Sequence, residues 1–420
     1  MTSRFWRIAS LTLTLLLAGC ASLTPLLSPP TPVPSPQATA TPQATPTAPA
    51  PAGTDQPRLL RVWLPPRFDP NAGTPSAELL KARLQTFEAE HPGIKLDIRI
   101  KSETDILRTL SITNNAAPAA MPDLIALSYW NMQKAASAGI LHPLEGLTTL
   151  LQDPDWYAFA RDLGHLKNVE YGIPFASDVL VIVQRRGLFD APPASWADIF
   201  ASGASLAFPA SDPRAAFPLS LYLSGSLPLV SEQGALTLDE ATLTRLFAFY
   251  RQAIDRGIVP LSTRDLQTDA QALQLYHSGQ ADLAVVWISS NLQSPSGEYL
   301  PLPGLDNGHY TMGDGWVWAL AGSNVENQPL AVEVASYLVE SGFMSEWTRA
   351  AGLLPVRPQA LNGWDAELRA PIHEALQSAH PLPPEDAAAV VGPLLQKALI
   401  RLFNGEQPEV VARSVLEELK

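Results

Sequence analysis

Apolar and polar positions follow two different periods along this chain, and the switches between them outline its elements. Leu60-Arg61-Val62-Trp63-Leu64 reads as a strand stopped by Pro65-Pro66, because proline has no N–H to pair. Leu79, Leu80, Leu84 and Phe87 then recur at helical spacing, predicting a helix capped by Ser76 that runs to about Glu90. His91-Pro92-Gly93 ends it, and Ile94, Leu96, Ile98 and Ile100 alternate as a second strand. A helix from Glu103 to about Asn114, a buried strand at Leu124–Leu127 and a helix over Tyr129–Ala138, with Gly139 as its cap, continue the series. Strand and helix in alternation predict a parallel sheet with helices on both faces.

Val169–Phe189 is the stretch around which the rest is organised. Val179–Val183 is an unbroken run of Val, Leu and Ile, which fits a strand buried on both faces. Tyr171-Gly172-Ile173-Pro174 is a turn-prone entry, and Phe175–Asp178 a short polar bend before the strand. We read the stretch as a strand crossing between two lobes, with its bend at their junction; taken alone, it also fits a core strand after a loop. Further along, Leu206–Phe208, Leu283–Trp287 and Trp316–Leu320 read as strands. Ala215–Ser224, Thr237 to near Gly257, Asp269–Ser278, Pro329–Ser341 and Ser345–Ala351 read as helices. From Asp386 the tail is helical twice, broken at Asn404-Gly405.

Length supports two lobes, since 420 residues exceed what a single core organises. A formal charge of −13 argues against nucleic acid and anionic lipid as partners. Cys20 is the single cysteine, so no disulfide forms within the chain and no Cys-based zinc site exists. Residues 1–20 have a basic start at Arg4 and Arg7, an apolar run over Ile8–Leu17, and the closing Leu17-Ala18-Gly19-Cys20. This segment resembles the lipobox of bacterial lipoproteins, which implies cleavage and lipidation at Cys20 and a body held outside the cytoplasm by a lipid anchor. Residues 21–58 are rich in Pro, Thr, Ala and Ser and are expected to form a disordered tether.

Catalytic signatures are missing. The chain has no Gly-x-Ser-x-Gly elbow, no His-Glu-x-x-His pair and no phosphate-cradling loop, and its histidines lack ligand spacing. Gly313-Asp314-Gly315 lacks the further glycine of a nucleotide loop and precedes a strand. Asp153/Asp155 and Glu385/Asp386 read as solvated caps. Neither an enzyme, nor a metal site, nor a cofactor is expected.

In an open α/β sheet, ligands meet loops after the carboxyl ends of strands. That rule selects Trp63 and Arg67; Ser128, Tyr129 and Trp130; Phe175, Ser177 and Asp178; Trp287, Ser289 and Asn291; Asp314 and Trp316; and Arg357. Aromatic faces, carboxylates, hydroxyls and a guanidinium are the groups that hold a small polyhydroxy ligand. Trp63 faces either the cleft or the core, and one of Tyr129 and Trp130 packs inward. Because Trp318 alternates with Trp316, one of the two is expected in the core and Trp316 in the cleft.

Phe87-Glu88-x-x-His91-Pro92-Gly93-Ile94, Met121-Pro122-Asp123-Leu124 and Ala138-Gly139-Ile140-Leu141-His142-Pro143-Leu144 resemble segments of carbohydrate-type extracellular solute-binding proteins of ABC importers. Tyr171-Gly172-Ile173-Pro174-Phe175, Pro193-x-Ser195-Trp196-x-Asp198, Tyr276–Ala284 and Leu353-Leu354-Pro355-Val356-Arg357 follow in the same order. The chain departs from the pattern at Gln184-Arg185-Arg186, and 387–395 lacks an aromatic that some relatives stack on sugar. The resemblance implies an α/β, two-lobed, type II periplasmic-binding-protein-like fold over 59–420, each lobe a mostly parallel sheet flanked by helices and joined by hinge strands. Lobe 1 is expected at about 59–170 plus 302–341, and lobe 2 at about 173–299 plus 342–420. It implies hinge closure on a sugar or oligosaccharide, delivery to ABC permease subunits, and a monomer. The expected ligand-binding residues are Trp63, Tyr129, Trp130, Phe175, Asp178, Trp287, Ser289, Asp314, Trp316 and Arg357. The same fold holding a polyamine, peptide or oxyanion, or serving as a surface sensor, is the alternative; a tethered hydrolase lacks a nucleophile.

Overall fold

The computed structural model describes residues 57–419 except 226–228, 232–233 and 307. The expected leader at 1–20, with Cys20, and nearly all of the 21–58 tether lie outside the described residues. In chain order, β1 (Arg58–Leu64), α1 (Pro75–Glu90), β2 (Ile94–Ile100), α2 (Ile106–Ala116), β3 (Leu124–Ser128) and α3 (Tyr129–Ser137) follow the predicted alternation. The chain then passes α4 (Ala158–Leu163) and a small hairpin of β4 (His165–Leu166) and β5 (Val169–Glu170) into β6 (Gly172–Gln184). Next come α5 (Trp196–Ser202), β7 (Leu206–Ala207), α6 (Ala216–Ser224), α7 (Glu240–Asp255) and α8 (Asp269–His277). These lead to β8 (Leu283–Trp287), α9 (Ser289–Leu292), β9 (Glu298–Leu300) and β10 (Thr311–Leu320). The rest is α10 (Gln328–Leu338), α11 (Ser341–Ala351), α12 (Ala366–Gln377), β11 (Ala379–Pro381), α13 (Glu385–Phe403) and α14 (Pro408–Leu419).

The main sheet has the order β2-β1-β3-β10-β6-β8-β7, with β11 beside β10 and β9 beside β6. β1 pairs in parallel with β2 and β3, as the alternating pattern requires, whereas β10 runs antiparallel to both β3 and β6. β6 and β10 therefore join two groups of strands. Around them are two apolar cores, one holding β1, β3 and α1, the other holding α6, α7, α13 and α14. Residues 344–376, expected with the second lobe, pack into the first of these cores through Met344, Trp347, Leu354 and Ile372.

Local chemistry explains three departures. α1 is capped by Thr74, whose Oγ1 accepts from the Ala77 amide at 3.2 Å, and Ser76 is not the cap. Pro75 decides this, since proline fits a helix best at its first position. β6 runs straight through the expected bend at 175–178. Ala176 pairs with Trp316 and Pro174 with Val317, so a bulge at Phe175 absorbs the proline's missing N–H. β10 begins at Thr311, five residues before Trp316. Its Gly313 and Gly315 permit close approach of α4: a Cβ there would lie 2.7 Å from the Phe159 ring and 2.5 Å from Leu163.

Candidate functional site

A groove of about 730 Å³ opens where β6 and β10 cross between the two cores. That lies within the usual small-ligand range of about 300–1,000 Å³. Asp178 of β6 and Asp314 of β10 form its floor, directly opposite each other in the antiparallel ladder. Asp178 accepts hydrogen bonds from Ser289, through the amide at 3.1 Å and through the hydroxyl. Asp314 Oδ1 accepts from the Gly315 amide at 2.7 Å. Burial pushes Asp178 up to about 7, with the charge of Asp314 adding to the effect, and pushes Asp314 up to about 6.

Asp269, in the first turn of α8, supplies a third carboxylate. Its Oδ2 accepts from the Trp287 amide at 3.1 Å and the Ser290 hydroxyl at 2.8 Å, and burial raises its pKa. The helix start itself is set by a capping box between Thr268 and Gln271. Trp130 and Trp287 wall the groove, each half-buried with one side packed on the second core. Trp130 Nε1 donates to the Pro383 carbonyl at 3.0 Å, tying α3 to the turn before α13. Across from them, Ala388, Ala389 and Pro393 of α13 give a small apolar wall, in the segment that lacks an aromatic. Arg214 reaches the rim from a loop where Ala215 adopts φ 46°.

Trp130, Asp178, Trp287, Ser289 and Asp314 are thus brought together from the expected set. The others are placed elsewhere. Trp63 is 2% exposed, inside the first core, with Lys101 over its ring. Phe175 is buried against Phe68, Trp318 and Trp347. Trp316 does not line the groove: Phe68 meets its ring edge-on at 5.0 Å and Arg67 lies over it at 5.2 Å. Positions two apart on a strand project to the same side, so Trp316 and Trp318 are not divided between cleft and core; both join the Phe68/Phe175 cluster. Tyr129 is half-buried between the cores, its phenol pushed up to about 12 by burial and nearby Asp162 and Asp314.

Arg357 is an internal ion-pair residue, reaching Asp153 at 2.6 Å and Asp155 at 3.0 Å. Of the two expected solvated caps, the Asp153 side chain is 38% exposed and accepts from the Asp155 amide at 2.9 Å, whereas Asp155 is buried; both also hold the largely buried guanidinium. Asp269, Arg214 and Glu385 were missed as groove residues. Asp269 and Glu385 read as ordinary helix-start acids, and only the placement of α8 and α13 turns them to the groove.

A model of the bacterial extracellular solute-binding protein family matches residues 82–373. The chain belongs to that family. A search of curated proteins returns no match. Among solved structures, this solute-binding protein is similar to the sugar-binding protein MalE from Xanthomonas citri, at TM-score 0.72 and 16% identity over 86% of this chain and 96% of that one. The maltose-binding MalE from Listeria monocytogenes in complex with maltose gives 0.71 and 13%, over 87% and 97%. The cyclic alpha-maltosyl-1,6-maltose binding protein from Arthrobacter globiformis gives 0.70 and 15%, over 86% and 98%. The fold of this solute-binding protein is the two-lobed α/β fold of these proteins, and its family places it outside the cytoplasm.

Proposed function

We propose that this protein captures a sugar or oligosaccharide in the groove between its lobes and passes it to an ABC-type permease without chemical turnover. The observation that carries the reading is the groove itself, where the half-buried rings of Trp130 and Trp287 stand beside Asp178, Ser289 and Asp314. Flat aromatic faces cover the C–H side of a pyranose, and carboxylates accept from its hydroxyls. The sugar-binding proteins of similar fold support the choice of ligand class. Closure follows because a ligand touching both lobes stabilises the shut state over the open one. Lobe 1 is centred on 59–170 and lobe 2 on 173–299. Cleavage before Cys20, lipidation there, a spacer over 21–58 and a monomeric receptor complete the proposal.

A thermal-shift screen over mono- and oligosaccharides tests it, since a ligand at 100 Kd adds about 2.7 kcal/mol to the native state. Trp287→Ala should weaken binding of the hit by about 1–3 kcal/mol, the usual cost of losing an aromatic anchor. Unchanged calorimetric affinity in that variant rejects the site, and no shift with any sugar rejects the ligand class.

A further inference from the structure

We propose that the solute is a carbohydrate carrying a protonated amine, bound by Asp178, Asp269 and Asp314 on the groove floor. The inference rests on the sugar-receptor reading and concerns charge left without a partner. Asp178 and Asp314 are cross-strand neighbours, and like charges so placed destabilise a ladder. Asp269 joins them through consecutive residues, because Ser289 holds Asp178 and Ser290 holds Asp269.

The surrounding cations are engaged elsewhere. Arg214 makes its ion pair with Asp212 at 2.9 Å and reaches Asp269 and Asp314 only through its charge at longer range, and Lys134 pairs with Glu385 at 2.6 Å. Arg67 lies over the Trp316 ring, and its charge reaches Asp314 only at longer range, opposed by that of Glu103. Among the described residues, no ion pair reaches Asp178, Asp269 or Asp314. Asp314 accepts a single hydrogen bond, from its neighbour's amide, which leaves its second oxygen for a ligand.

A neutral polyol satisfies these oxygens but leaves their repulsion in place. An ammonium group does both tasks: it donates charge-assisted hydrogen bonds and neutralises the floor. Burial is the main reason Asp178 and Asp314 stand above the ordinary carboxylate range, the charge of Asp314 adding to the rise at Asp178, and an ammonium seated between them would favour their ionised forms. Trp287, whose amide is bound to Asp269, sets an aromatic face beside the same floor, a further attraction for a cation.

The test is calorimetric titration of the full chain near neutral pH with matched pairs. Glucose, maltose and maltotriose are each compared with a counterpart in which one hydroxyl is replaced by a primary amine. At least one amino counterpart should bind about tenfold or more tightly than its parent. That advantage should shrink with added salt and collapse in Asp314→Asn and in Asp269→Asn, two variants that keep side-chain shape. Parent sugars binding as well as their amino counterparts would overturn this inference and leave the sugar receptor standing. Failure of both members of every pair would overturn both.

Discussion

Replacing Asp178 by Asn removes a negative charge from the groove floor while keeping its shape. The Ser289 amide still donates to the carbonyl oxygen of the substituted side chain, and the Ser289 hydroxyl turns to accept from the new NH₂. In the folded protein, burial and the Asp314 charge hold Asp178 at about 7, against an ordinary value of 3.8. A raised carboxylate pKa means that the folded state holds its proton longer than the unfolded chain does. Stability from this residue is therefore greatest below the unfolded value of 3.8, falls as pH rises toward 7, and then levels off.

At about 1.36 kcal/mol per pH unit, the full penalty of ionisation comes to roughly 4 kcal/mol; Asp178 retains some solvent contact, so about 2–4 is expected. Urea unfolding followed by tryptophan fluorescence reads it directly. The variant should match the parent protein at about pH 4 and exceed it by that amount near pH 8. It should also bind ligand less well, the common exchange of function for stability at a site. A variant less stable at pH 8, or one whose difference from the parent does not change with pH, would refute the argument from desolvation.

Two further substitutions separate packing from binding. Arg357→Ala leaves Asp155, 8% exposed, as a buried carboxylate without its cation, and should cost about 3–5 kcal/mol in chemical unfolding with ligand affinity kept. Lost affinity in a protein still folded would return Arg357 to the groove. Gly392→Ala adds a Cβ 2.5 Å from the Pro213 carbonyl oxygen and 3.0 Å from that of Arg214. Alanine favours a helix by about 1 kcal/mol over glycine, but overpacking costs about 1–3, so melting temperature and ligand affinity should both fall. A higher melting temperature would show that the 213–214 loop yields freely.

What the amino-acid order determines by itself is local. The period of 3.6 in α1 and of two in β2, the capping Thr268 and the stop at Pro65-Pro66 each act within a few residues, so their reading needs no tertiary contact. The strand-end rule belongs to the same level and accounts for Trp130, Trp287 and Ser289 at the ends of β3 and β8, whereas Asp178 and Asp314 face the groove from within β6 and β10. Tertiary structure decided which aromatic rings stay wet. Trp63, Phe175 and Trp316 have the same composition signal as Trp287, but Phe68, far away in the chain, closes over both Phe175 and Trp316, and Trp318 and Trp347 pack on Phe175. It alone set Asp178 opposite Asp314 and brought Asp269 beside them, because ladder register and helix docking depend on residues far apart in the chain. The Gly-Asp-Gly of 313–315 shows the division: its spacing is plain in the sequence, but its purpose, two close contacts to α4 with a carboxylate between them, exists only once Phe159 and Leu163 have packed.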